Sequence, residues 1–126
     1  MKRKAMLMTA CVMMIMNTVI FLYLDHVLKQ EISVYVIQMG RYKKEENANQ
    51  MIEQLKKAGY QGYRYQDKDI VVLAKIVFTQ DEANQMAKEI SQKVMSCVVK
   101  EYQIDQKYKN EVTSQKYEHI YEELKS

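Results

Sequence analysis

The residue types that carry catalysis are present but never gathered. His26 and His119 are the only histidines, and neither has a Cys or carboxylate at metal-ligand spacing. Glu45-Glu46 and Glu122-Glu123 are acidic pairs set in polar surroundings, where they read as solvated charge rather than as general acids. Cys11 falls in an apolar run. Cys97 reads as a small strand residue; it has no second cysteine in its own part of the chain, which leaves only intermolecular pairing as a disulfide. There is no Gly-rich phosphate loop and no serine nucleophile motif. These observations point to a non-enzymatic protein needing no cofactor and no metal. The remaining chemistry is that of binding. Gln38 is a polar residue inside an apolar strand, Arg41 follows it closely, and Tyr63 and Tyr65 alternate with polar residues. Aromatic rings can stack on the C–H face of a sugar while their hydroxyls stay in water. The same two tyrosines could equally plug a core, because a period of two puts them on one face without saying which.

These residues sit in a repeated unit. Ala48-Asn49-Gln50-Met51 returns as Ala83-Asn84-Gln85-Met86, an offset of 83 − 48 = 35 residues. At that offset Tyr35-Val36-Ile37 falls on Ile70-Val71-Val72, and Leu55 falls on Ile90. Each unit reads as a strand followed by an amphipathic helix. Two copies are too few for a solenoid, so a closed pseudo-symmetric domain is expected. Residues 34–39 form the first strand, closed by Gly40. A helix over 47–58 carries Ala48, Met51, Ile52 and Leu55 on one stripe, with Gly59 at its C-terminal cap. Residues 60–66 form a second strand and 69–77 a third. Thr79 and Glu82 make a capping box for a second helix, whose stripe is Ala83, Met86, Ala87, Ile90 and Val94. Residues 96–102 form the fourth strand.

The order β-α-β-β-α-β, with right-handed crossovers, places both helices on one face of the sheet. The expected fold class is therefore α+β, a two-layer ferredoxin-like sandwich whose other sheet face is open. Gln38 falls on that open face, while Ile37 and Met39 face the helices.

The body of the chain is electrically neutral. The formal charge of +3 is supplied by Lys2, Arg3 and Lys4, and the other 16 basic residues balance 16 acidic ones. A neutral body argues against nucleic-acid binding, which needs a basic face. Residues 5–24 carry no charge at all, and about 20 apolar residues span a hydrocarbon core. With the basic cluster before them and Asp25 after, they read as a single transmembrane helix with a cytoplasmic N-terminus and an exported C-terminal domain. A cleaved signal peptide is the rival reading, and no small-x-small site follows Leu24. Residues 25–33 are a connector that reaches at most roughly 30 Å.

The first unit resembles the SPOR domain, the sporulation-related repeat. The family pattern is an apolar strand ending in Gln, a Gly with an aromatic, a polar loop to an Ala that starts a helix, then Gly-Tyr. Here it is Val36-Ile37-Gln38-Met39-Gly40-Arg41-Tyr42, then Ala48, then Ala58-Gly59-Tyr60. The second unit is similar to the family's second half, with Asp81-Glu82-Ala83 at its helix start, although Lys75 stands where that half has a Gly turn. The resemblance implies a domain over 34–102 that binds septal peptidoglycan glycan strands stripped of stem peptides, during division or sporulation. It implies that the glycan lies on the open sheet face, over Gln38, Arg41, Tyr63, Tyr65, Val71 and Leu73. Tyr42 corresponds to the family aromatic, which packs in the core.

Residues 103–126 lie beyond the resemblance. They read as helical, with one stripe of Ile104, Tyr108 and Val112 and another, out of phase, of Tyr117, Ile120, Tyr121 and Leu124. Such a tail docks on the domain, packs on a partner, or frays. With apolar Val71 and Leu73 on the glycan face, it keeps an alternative open: a protein-interaction module that scaffolds a membrane complex.

Overall fold

The computed structural model describes residues 30–125, and Glu31–Ser126 is one compact unit. The transmembrane reading of residues 5–24 lies outside the described residues. Among the described residues, no helix is long and apolar enough to cross a membrane.

The regular elements are β1 (Glu31–Tyr42), α1 (Glu45–Lys57), β2 (Tyr63–Gln66), β3 (Ile70–Val77), α2 (Gln80–Lys93) and β4 (Val98–Asp105). The four strands form one sheet in the order β2-β3-β1-β4. Every neighbouring pair is antiparallel. This is the expected β-α-β-β-α-β arrangement. β1 is longer than the apolar run suggests, because ladders on both sides satisfy its backbone. It pairs with β4 from Glu31↔Asp105 to Gln38↔Val98 and with β3 from Tyr35↔Val77 to Tyr42↔Ile70. Residues 31–33 of the expected connector are therefore strand. Cys97 lies just before β4 rather than in it, half-buried, with its Sγ 3.5 Å from the Ala87 carbonyl oxygen.

Two bulges shape the β1–β3 ladder. Ile37 opposes Lys75 and Gln38 opposes Leu73, so Ala74 is an extra residue; Gly40 then opposes Val72, so Met39 is another. Strict alternation from Gln38 would turn Arg41 to the helix side. The Met39 bulge shifts the phase, and Arg41 opposes Val71 instead, as bulges re-aim the side chains that follow them. The strand runs through Gly40 rather than stopping there. A Cβ at that position would come within 3.0 Å of the Tyr42 hydroxyl, so glycine makes room for the Tyr42 ring.

The helix face follows the repeat. Ile37 and Val72, Ala48 and Ala83, and Leu55 and Ile90 are the offset pairs, and all six have no exposed surface. Met39, Met51 and Ala74 complete this core, with Tyr42, Ile52 and Met86 at its margin. The Thr79 hydroxyl accepts from the Glu82 backbone N–H at 3.3 Å. The first helix ends in a Schellman motif: Tyr60 N–H donates to the Leu55 carbonyl at 2.8 Å and Gly59 N–H to that of Lys56 at 3.0 Å. Gly59 takes φ +94 there, a conformation glycine adopts without a Cβ clash. Tyr60 is thereby used by the cap, and β2 begins only at Tyr63.

The other sheet face is not open. Residues after β4 cross it as a 3₁₀ turn (Gln106–Tyr108), α3 (Lys109–Thr113), a second 3₁₀ turn (Tyr117–His119) and α4 (Tyr121–Leu124). Val112, Tyr117, Ile120 and Leu124 pack with Val34, Val36, Tyr65, Val71, Leu73, Ile76 and Ile104 in a second core. The expectation of a two-layer sandwich with a free face is corrected to three layers. The reason is the alternation of β1 and β3, which places apolar residues on both faces and leaves the second needing cover.

Candidate functional site

The six residues singled out in the sequence come together in two rows across β2, β3 and β1. Tyr63 opposes Leu73, which opposes Gln38. Tyr65 opposes Val71, which opposes Arg41. Each row thus has a tyrosine, an aliphatic residue and a polar residue capable of donating hydrogen bonds. All six lie on the sheet face away from the two long helices. Of the alternatives left open for Tyr63 and Tyr65, the structure excludes a plug beneath the helices.

That face carries the tail. The Tyr121 ring stacks on Tyr65 with centroids 5.0 Å apart at 21°, and Tyr117 meets Tyr63 edge-on at 4.5 Å and 62°. The Tyr63 hydroxyl donates to Gln115 Oε1 at 2.7 Å. The Tyr117 hydroxyl accepts from the Ile76 backbone N–H at 3.2 Å and lies 3.4 Å from its carbonyl oxygen. Burial in this layer pushes the Tyr117 and Tyr121 phenols up to about 12. Burial also raises Tyr65, well above an ordinary phenol, and Tyr63. All four are therefore neutral donors and acceptors at physiological pH.

The polar end of each row behaves differently. Gln38 is 7 % exposed, and its Oε1 is buried with no hydrogen-bond partner. Such a buried acceptor costs about 1–3 kcal/mol when left unmade. Arg41 stays partly exposed at the rim, where its guanidinium bonds Asp67 at 2.9 Å and lies 3.9 Å from Asp69. The hydrogen bond to Asp67 raises its pKa further and keeps it a cation.

Other polar clusters serve the scaffold. Arg64, on the helix side, donates to Glu45 at 2.8 Å and to Asn49 at 3.0 Å, holding β2 to α1 beside a small cleft. Glu89 and Lys93 pair at 2.9 Å on the exposed surface of α2. Among the described residues, no group of His, Cys, Asp and Glu could hold a metal ion. Sequence reasoning missed the role of Gln115, Tyr117 and Tyr121. The signal was present in the second tail stripe, but a stripe does not name the surface it covers.

No curated protein and no solved structure matches this chain. A family model, that of the SPOR domain, matches residues 32–101. SPOR domains are peptidoglycan-binding modules of cell division, a family of binding rather than catalytic domains. The match starts in β1 and ends in β4, taking in all four strands and both long helices. It covers more than half of the chain, which belongs to the SPOR domain family.

Proposed function

We propose that this protein is a single-pass membrane protein whose exported SPOR domain binds peptidoglycan glycan strands at a division or sporulation septum. In this reading residues 5–24 are the anchor and the N-terminus is cytoplasmic. The observation that carries it is the pair of rows, Tyr63–Leu73–Gln38 and Tyr65–Val71–Arg41, in a domain of this family. Their chemistry suits a glycan stripped of stem peptides. Tyrosine faces and the aliphatic centre accept the C–H faces of pyranose rings. Gln38 offers an amide to N-acetyl groups. Arg41 offers a cation to the lactyl carboxylate that peptide removal leaves free.

The test is sedimentation of the protein with purified sacculi, with and without amidase treatment. Binding is expected to rise on amidase-treated material and to fall with Gln38→Ala and Arg41→Ala. Absence from both pellets, with the fold intact by circular dichroism, would reject the reading.

A second reading is a protein-interaction module that scaffolds a membrane complex without sugar binding. It is favoured by the tail on the sheet face and by Met95, just before the outer strand β4, and Val98, its first residue, exposed at 41 % and 57 %. Crosslinking in membranes separates the two; a partnerless protein counts against the second.

A further inference from the structure

The tail occupies the rows that the glycan reading assigns to sugar. It does so with the same functional groups. An N-acetylated pyranose presents a flat C–H face, hydroxyls and an amide. On the rows the tail presents the flat ring of Tyr121 to Tyr65 and the Gln115 amide to Tyr63, and beside them it presents the Tyr117 hydroxyl to the Ile76 backbone. One group is left out of this match. Gln38 Oε1, at the polar end of its row, is buried and unpartnered. A face built only to receive the tail would place an aliphatic side chain there. Gln38 therefore points to a second occupant with a donor at that position.

The tail is also built to leave as a unit. Its helical pieces are three to five residues long, too short to persist without the sheet beneath them. They are joined at Gln115, a non-glycine residue at φ 60, which is strained backbone held by its surroundings. The β1–β3 ladder beneath does not depend on the tail; the main-chain site that the tail serves is Ile76, whose N–H donates to the Tyr117 hydroxyl and turns to water when the tail leaves.

We propose that residues 106–125 are an intramolecular lid that competes with peptidoglycan glycan for the sheet face. This rests on the glycan reading above. Closure by the lid lowers the apparent affinity by the fraction of molecules that are open. Glycan that binds the rows releases the lid.

The experiment uses the full chain in detergent with soluble glycan strands from amidase-treated sacculi. Hydrogen exchange is read at the Ser114 and Ile120 amides, which donate to Asn110 and Tyr117 at 2.9 and 3.0 Å. Binding is measured for the wild type and for Tyr117→Ala. On the lid reading, glycan accelerates exchange at both amides in the wild type, and Tyr117→Ala binds at least tenfold more tightly. Equal binding by the two proteins, with the amides protected in the wild-type complex, overturns the lid and leaves glycan binding standing at another surface. No binding by either protein, although Tyr117→Ala frees the tail amides, overturns the glycan reading and the lid with it. The exchange arm on the wild type decides the lid even where Tyr117→Ala lowers the yield of folded protein.

Discussion

The two faces of the sheet are buried equally well by quite different means. On one face, helices of 13 and 14 residues lie side by side, each capped and each presenting a single stripe. Across the sheet, pieces of three to five residues do the same task, and their Tyr117 and Ile120 are as fully buried as Leu55 and Ile90. Complete burial therefore says nothing about how a cover is held. Helices carry internal hydrogen bonds and caps of their own. The tail's pieces have only short turns of such bonds, as from Lys116 N–H to the Glu111 carbonyl at 2.8 Å, and lean on the sheet besides, as when Tyr117 reaches the Ile76 backbone. The first face is a permanent core, and the second is a core with a removable half.

The most forceful way to break this contrast is by core truncation. Leu55→Ala is expected to lower global stability by about 2–5 kcal/mol in urea unfolding. Tyr117→Ala can cost no more than the free energy that docks the tail. Adding Ile120→Ala to it is then expected to change stability by under about 0.5 kcal/mol. A double variant that falls by the sum of two buried truncations would make the tail as integral as the helices.

Alkali should separate the faces next. Tyr117 and Tyr121 titrate at about 12 in the folded protein, against an ordinary value of 10.0. A phenol raised by folding favours the docked state fully below pH 10, and that contribution is lost as pH rises through about 12. Ring resonances of the two tyrosines should move to solvent-exposed positions in that window while the Leu55 methyls hold. Simultaneous loss of both signals would show one cooperative unit.

Gln38→Met offers a smaller effect with two signs. Removing the unpartnered Oε1 is expected to stabilise the closed protein by about 1 kcal/mol and to weaken glycan binding. A destabilised variant would mean that the amide is satisfied in solution. The smallest effect is expected at the rim. Arg41→Ala should cost under about 1 kcal/mol, since the pair with Asp67 is only partly shielded. A larger loss in thermal melts would make Arg41 part of the fold itself.

The same contrast explains what the sequence disclosed. The helix face was legible because a 35-residue offset aligned Ile37 with Val72, Ala48 with Ala83 and Leu55 with Ile90. Thr79 and Gly59 announced one helix start and one helix end. The site rows were legible in part. Tyr63 and Tyr65 share a face by alternation, but Arg41 joins them only through the Met39 bulge, and no periodicity announces a bulge. The tail was the least legible. Its first stripe mixed Ile104, a strand residue, with Val112 on a short helix. Its second was thrown out of phase by the turn at Gln115.

The position of β1 has a mechanical consequence. The chain enters the folded unit through a central strand, bonded to β3 on one side and β4 on the other. Tension applied from residues before Glu31 runs along that strand and loads both ladders in shear, so many hydrogen bonds must yield together. A pull from the C-terminus meets the tail first and lifts it from the sheet before either ladder is loaded. The same molecule is thus stiff toward one end and yielding toward the other.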